Sequence, residues 1–180
     1  MEFNEAVHKR RSIRSFRPDP VETEKISFVL EAARQAPSWK NLQCWRFMVI
    51  TGEEKRTEVA SVFSPTNPGA KALLESPVII ALCANPAESE VWDGKDFWML
   101  DAGLAMEHLI LAATDQGLAT CWQGLFDEAK MREALGVPEG FRVIALTPLC
   151  YPAQERSPRP RKKLDEIAFG DLWGEPWKAE

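Results

Sequence analysis

The chain of 180 residues lacks the sequence motifs of the common catalytic sites that are built from protein groups alone. Its two histidines, His8 and His108, do not form an HExxH motif, which excludes a metalloprotease-type zinc site. It also has no GxSxG motif around a nucleophilic serine, no GxGxxG motif after a strand and no GxxxxGK[ST] phosphate loop. If the protein is an enzyme, these absences indicate that a cofactor carries the chemistry.

Cysteine is scarce, and its spacing excludes the usual zinc and redox motifs. Cys44, Cys83, Cys121 and Cys150 form no CxxC pair and have apolar neighbours, which predicts buried, reduced thiols. No run of about 18 apolar residues is present, so no membrane span is expected. Because the N-terminus has polar residues where a signal peptide would have an apolar core, we expect a cytoplasmic protein.

At the one place where potential metal ligands lie close together in sequence, they do not form a complete set. Asp101 and His108 are seven residues apart and share a face of a predicted helix, with Glu107 beside them. That face offers no third ligand. We therefore expect no metal site, and interpret these groups as satisfied polar side chains in a crowded helix interface.

Hydrophobic periodicity predicts alternating helices and strands. The predicted helices are 3–10, 21–36, 53–63, 70–75, 96–116 and 127–135, and the predicted strands are 44–51, 77–84 and 141–151. Residues 118–125 are predicted as a loop or a short strand. Because helices separate the strands, we expect an α+β or α/β domain in which helices cover a central sheet.

Two regions are predicted to make contacts outside a simple core. The helix at 96–116 is apolar around its whole circumference, which predicts burial on most sides, either in its own domain or against a second subunit. The extended C-terminal segment, 152–180, has little periodicity and cannot build a core of its own. It is expected to pack on its own domain or to wrap around a partner.

Positive charge is concentrated, although the chain has a net charge of −5. One cluster spans Lys9–Arg17 and the other spans Arg156–Lys163. The net charge argues against nucleic-acid binding, whereas two local clusters favour anion sites. Arginine forks suit a phosphate monoester, but a solvated basic helix end is an equally good interpretation of the first cluster.

Four motifs in one order resemble the small members of the FMN-dependent nitroreductase family. They are RRSIRSF, APSWKNLQCWRF, GLATCWQG and PRPRKKLDEI. The resemblance implies one α+β domain over residues 1–180 with a central mixed β-sheet covered by helices. It also implies a homodimer with FMN at the subunit interface and a C-terminal tail that extends onto the partner subunit.

The resemblance assigns the FMN phosphate, the ribityl chain and the flavin N1/O2 edge to six residues. These are Arg10, Arg11, Ser12, Arg14, Arg159 and Arg161. The flavin ring is assigned to a loop of the partner subunit and to two backbone groups near flavin N5 and O4. The loop residues are Pro37, Ser38, Trp39, Asn41 and Gln43, and the backbone groups are those of Gln123 and Gly124.

Three positions stay open at this point. Lys71 is either a cation over the flavin pyrimidine or a surface lysine. Trp39 is bulkier than the usual residue, so it either stacks on the flavin or packs as an interface aromatic. Cys44 stands where many members have proline, which should adjust the loop without abolishing FMN binding.

The implied reaction needs no catalytic side chain. FMN would transfer a hydride through N5 from NAD(P)H to nitroaromatic, quinone or similar small acceptors, by a ping-pong mechanism. Other reactions of the same fold remain as alternatives: flavin fragmentation, reductive dehalogenation and dehydrogenation of a metabolite. A non-catalytic domain that binds nucleic acid or another anion is a third reading.

Overall fold

A computed structural model describes residues 1–177; residues 178–180 of the predicted domain lie outside the described residues. Helices α1 to α6 are Phe3–Lys9, Thr23–Arg34, Glu53–Ser61, Pro68–Glu75, Phe97–Asp115 and Glu128–Leu135. Strands β1 to β5 are Trp45–Ile50, Val78–Ala84, Val91–Trp92, Lys95–Asp96 and Arg142–Leu149. Every predicted helix and strand is therefore present, and the hairpin of β3 and β4 is the pair of strands that the sequence patterns did not predict.

The central sheet has the strand order β1-β2-β5, and both pairings are antiparallel. Trp45 pairs with Ala84 at one end of the first pairing, and Val78 pairs with Leu149 at one end of the second. An isolated parallel bridge between Ser12 and Thr120 lies outside the named strands, so the chain contains parallel as well as antiparallel pairing. The predicted α+β class is confirmed.

Strand β2 is buried along its whole length because helices cover both faces of the sheet. Ile80 and Leu82 belong to a core cluster with residues of α2 and α5. Ile79 and Ala81 belong to a second cluster with residues of α3, α4 and α6. Side chains of a strand alternate between its faces, so a strand buried on both needs an unbroken apolar run, which is what residues 78–84 have.

Helix α5 packs along α2 and the sheet, but one strip of its apolar surface is uncovered. Ala102, Ala105, Met106 and Leu109 are buried in the core, as the apolar composition predicts. Met99, Leu100 and Leu104, in contrast, are about half exposed. Among residues 1–177, none of the helices has the length and apolar character needed to cross a membrane.

The C-terminal segment leaves the body of the chain near Pro152. Its first part is tied back by the Ala153 N–H, which donates to the Ser15 carbonyl at 3.0 Å. Beyond this point the apolar side chains are largely exposed, and Trp173 is 91% exposed. Within residues 152–177 the segment does not form a core of its own.

Candidate functional site

Six arginines from opposite ends of the chain line one cavity of about 280 Å³. Its lining consists of Arg10, Arg11, Ser12, Arg14, Arg156, Ser157, Arg159 and Arg161. None of the six guanidinium groups forms an ion pair with a carboxylate of residues 1–177. Six unneutralised charges around one cavity create a strong positive potential, and hydroxyls among them add donors that suit a phosphate group.

Backbone pairing in the middle of the chain brings the two arginine clusters together. Helix α1 ends at Lys9, and the chain then becomes extended, so that the Ile13 N–H donates to the Thr120 carbonyl at 3.0 Å. A few residues later Phe16 forms an antiparallel bridge with Pro152. The N-terminal segment thus lies between residues near 120 and residues near 152. Because Pro152 pairs with Phe16, the C-terminal tail begins beside the N-terminal arginine cluster.

Arg11 has a buried donor that the protein leaves unused. Its Nη1 donates to the carbonyls of His8 at 2.6 Å and Arg10 at 2.7 Å, which fixes the guanidinium at the end of α1. Its Nε is buried and has no hydrogen-bond partner among the described residues. Because an unpaired buried donor is costly, this atom is an observation in favour of an anionic ligand in the cavity.

The GLATCWQG segment lies beside the first cluster. Burial raises the pKa of Cys121, and the positive charges of Arg14 and Arg156 oppose this rise, which reflects the proximity of the cavity. The Gln123 N–H donates to the Leu146 carbonyl at 2.8 Å, and its own carbonyl accepts from the Leu146 N–H. The Gln123 backbone is therefore occupied, whereas the N–H of the next residue, Gly124, has no hydrogen-bond partner within residues 1–177.

The side chain of Gln123 is held between two elements. Its Nε2 lies 3.3 Å from Cys121 Sγ, and its Oε1 lies against the backbone of Gly69 in the first turn of α4. Gly124 itself lines a second cavity of about 380 Å³, together with Trp98 and Arg142. The two residues thus lie at a junction between the sheet and α4.

Lys71 lies on α4, apart from the arginine cavity. Its side chain is largely exposed, and its Nζ is 3.5 Å from the Glu75 carboxylate one helical turn later. In the single chain it is a surface lysine with a weak ion-pair partner. A role over a flavin stays a prediction for this residue.

The loop at 37–43 has an unusual backbone, because three of its non-glycine residues adopt positive φ. These are Lys40 at 48°, Asn41 at 58° and Gln43 at 53°. The Gln43 N–H donates to Ser38 Oγ at 3.0 Å, and Gln43 Nε2 donates to the Asn41 side chain at 3.1 Å. Internal hydrogen bonds therefore fold the loop upon itself, with Pro37, Asn41 and Gln43 exposed.

Trp39 is engaged with its own chain. Its ring stacks on Phe97 with the centroids 3.9 Å apart and an angle of 22° between the planes. Its Nε1 donates to Glu90 at 2.7 Å, and Lys40 Nζ lies 2.8 Å from the same carboxylate. Hydrogen bonds from Lys40 and Trp39 lower the pKa of Glu90. Phe97 and Glu90 thus hold the tryptophan in a fixed orientation.

Asp101, in α5, holds the same loop by a hydrogen bond. Its Oδ1 accepts a hydrogen bond from the Trp39 backbone N–H at 2.9 Å. Its Oδ2 is buried and has no partner among the described residues, so the expectation of fully satisfied polar groups is wrong for this carboxylate. Burial raises its pKa, and the Trp39 hydrogen bond acts against the rise. No group of three or more His, Cys, Asp and Glu residues within 1–177 could hold a metal ion.

The predicted site residues fall into separate groups within one chain. The predicted phosphate residues share one cavity, with the 119–124 segment beside it. The 37–43 loop does not contribute to the lining of that cavity and rests instead on α5 and Glu90. Sequence reasoning missed Arg156 and Ser157 as lining residues, although Arg156 was visible in the second basic cluster.

Comparison with known proteins identifies the family of the chain. The sequence profile of the Nitroreductase family matches residues 7–151. An NADH dehydrogenase of Thermus thermophilus is 29% identical over 200 residues, which cover 93% of this chain and 94% of that protein.

Solved structures are similar over almost the whole length. A nitroreductase family protein from Clostridium novyi NT is 38% identical, with a TM-score of 0.81, and the match covers 98% of this chain and 97% of that one. An FMN-dependent nitroreductase from Clostridium difficile R20291 is 28% identical, with a TM-score of 0.81 and coverage of 93% and 98%. The chain belongs to the nitroreductase family.

Proposed function

We propose that this chain is an FMN-dependent oxidoreductase that uses NAD(P)H to reduce nitroaromatic, quinone or similar small acceptors by a ping-pong mechanism. The observation that carries the proposal is the convergence of six unpaired arginines on one cavity. An FMN phosphate is a dianion with several acceptor oxygens, and it fits a cavity lined by arginine forks and two serine hydroxyls. The unpartnered Nε of Arg11 supplies a further donor for such a group.

When bound, FMN would supply the redox chemistry, that is, hydride acceptance from NAD(P)H at N5 and reduction of the acceptor. The chain's own residues then have binding and electrostatic roles. Arg10, Arg11 and Arg161 would hold the phosphate, and Arg14 would stabilise negative charge at the N1/O2 edge of the ring. The free N–H of Gly124 would donate to the flavin near N5 and O4. No protein acid or base is required.

We further propose that two copies of the chain form the complete site. The arginine cavity and the 37–43 loop are separate in one chain, so a loop from a second copy would have to complete the flavin pocket. Two features support such an assembly: the uncovered apolar strip of α5 around Leu100 and Leu104, and the exposed apolar tail with Ile167 and Trp173. Exposed apolar side chains that lie close together are typical of an interaction surface.

In this proposal residues 1–180 form one domain, whose tail lies on the partner subunit. The loop of the partner would bring Ser38, Asn41 and Gln43 to the flavin, with the amide groups at its polar edge. Trp39 would form part of the wall because Phe97 and Glu90 fix its ring. We expect the enzyme to act in the cytoplasm.

The test is an absorbance spectrum of the purified protein, followed by anaerobic titration with NADH and with NADPH. We expect a flavin spectrum with one FMN per subunit, bleaching by at least one nicotinamide and recovery of the colour on addition of a nitroaromatic or a quinone. Light scattering should give the mass of a dimer. A colourless protein that ignores added FMN would refute the proposal.

Bleaching without recovery by any nitroaromatic or quinone would keep the cofactor but change the reaction. In that case a wider anaerobic panel should include halogenated aromatics and candidate metabolites, with mass spectrometry of the flavin to detect its fragmentation.

A further inference from the structure

The 37–43 loop adopts a backbone conformation that its own sequence disfavours. Lys40, Asn41 and Gln43 all have φ between 48° and 58°, although none is glycine. Left-handed conformations are unfavourable for residues that have a Cβ, although less so for asparagine. Such backbones persist only where surrounding contacts determine them, so the loop needs external anchors.

Three polar contacts anchor the start of the loop, and the Lys40–Glu90 ion pair is the most exposed of the three. The Trp39 indole and the Lys40 ammonium both bind Glu90, and this ion pair is substantially exposed. The third contact is the hydrogen bond from the Trp39 backbone N–H to Asp101, whose side chain is almost completely buried, with 3% of the residue exposed. Water competes less for a bond to this buried carboxylate than for the exposed Lys40–Glu90 pair, so the Asp101 bond should contribute more to the loop geometry than that pair does.

Helix α5 makes this anchor rigid. Asp101 lies in its first turns, between the exposed residue Leu100 and the core residue Ala102. The carboxylate is therefore fixed by a helix that is packed into the main core, whereas Glu90, which binds the same loop, lies outside the helices and has a side chain that is partly exposed. Its second oxygen, Oδ2, has no partner among the described residues, so the side chain is not optimised for stability alone.

We infer that Asp101 is a positioning residue: it holds the 37–43 loop, through the Trp39 backbone, in the conformation that binds the flavin of the partner subunit. This inference rests on the proposed function. If the loop samples other conformations, the fraction of molecules in the binding-competent conformation falls. The apparent Kd for the ligand rises by the same factor. Loss of a charge-assisted hydrogen bond corresponds to about a tenfold to hundredfold change in that population.

The test compares Asp101→Leu, which removes the acceptor, with Asp101→Asn, which keeps an oxygen of similar position. Met106→Ala serves as the control because Met106 is completely buried in α5 and has no hydrogen-bonding group that could hold the loop backbone. For each full-length protein, hydrogen exchange of the peptide covering 37–43 and the Kd for FMN are measured well below the melting temperature.

We expect Asp101→Leu to raise the Kd for FMN at least tenfold and to speed exchange at Trp39 by a similar factor. Asp101→Asn should stay within about threefold of the wild type in both measurements. Met106→Ala should lower Tm without changing either. If Asp101→Leu is insoluble, Asp101→Glu, which displaces the carboxylate by one methylene, should produce the same two changes.

Two results would overturn the inference. One is unchanged FMN affinity and loop exchange in Asp101→Leu; the other is an equal rise in Kd for Met106→Ala, which would mean that general instability weakens binding. A wild-type protein that does not bind FMN would refute the proposed function instead, and the loop-exchange measurement would still report whether Asp101 anchors the loop.

Discussion

Replacement of Gly69 by alanine tests the junction that holds Gln123 beside the proposed flavin site. A Cβ at position 69 would lie 2.0 Å from Gln123 Oε1 and 2.6 Å from its carboxamide carbon. Gly69 is in the first turn of α4, where its N–H donates to Asn67 Oδ1 at 2.8 Å, so the backbone has little freedom to move away. The Gln123 carboxamide must instead shift by about 1 Å or more.

The expected cost follows from what Gln123 loses when it moves. Its side chain is buried, and its Nε2 contact with Cys121 would be broken or stretched. Overpacking of this kind costs about 1–3 kcal/mol. Alanine regains about 0.5–1 kcal/mol relative to glycine because it restricts the unfolded chain. The net loss should be between about 0 and 2.5 kcal/mol, which lowers Tm by up to about 10 °C in a protein of this size.

The assay is thermal unfolding of four proteins at equal concentration and equal FMN saturation: wild type, Gly69→Ala, Gln123→Ala and the double variant. In the Gln123→Ala background the clash is absent, so Gly69→Ala should be neutral or raise Tm. Gly52→Ala is the matched control, since nothing lies within 4 Å of the Cβ it would add. A Gly69→Ala variant as stable as Gly52→Ala, or equally destabilised with and without Gln123, would refute the reasoning.

Four further predictions concern the arginine cavity, the thiols and a helix end. Arg161→Ala should weaken FMN binding about tenfold to a hundredfold and reduce its salt dependence, whereas Arg34→Ala, which breaks only a surface pair with Glu31, should change neither in a fluorescence titration. Burial raises the pKa of Cys83 to about 11 and of Cys150 to about 12, so Ellman's reagent at pH 8 should leave both unmodified until the protein is unfolded. Because these thiols hold their protons more tightly when folded, they should also make stability fall as pH rises from about 9 towards 12; denaturant titrations with a flat pH dependence in that range would contradict this. Gly136→Ala should cost about 1 kcal/mol, or about 2–4 °C in Tm, because the residue ends α6 at φ 65°; an unchanged Tm would show that the left-handed end is not required.

The elements of the fold could be predicted from the sequence because their signals are local. The unbroken apolar run of β2 follows from helices on both of its faces, and the all-round apolar character of α5 follows from its central place. Gly117 and Gly136 mark helix ends because they supply positive φ. The β3–β4 hairpin was missed, since its two strands have only two residues each and show no periodicity.

The roles of several candidate residues depended on tertiary contacts that leave no local signal. Gln123 and Gly124 are neighbours in one motif. The backbone N–H and carbonyl of Gln123 both bind Leu146, whereas the Gly124 N–H has no partner within residues 1–177. Trp39 lies against Phe97, far along the chain, and this contact determines which way its ring faces.

The sequence by itself determined that this chain has helices on a sheet and two concentrated groups of arginines, because periodicity and charge are properties of neighbouring residues. Only the tertiary structure decided that Arg10 and Arg161 share one cavity, and that the 37–43 loop does not contribute to it. The reason is that pairings such as Ser12 with Thr120 and Phe16 with Pro152 join segments more than a hundred residues apart, where the gain in free energy depends on the whole fold.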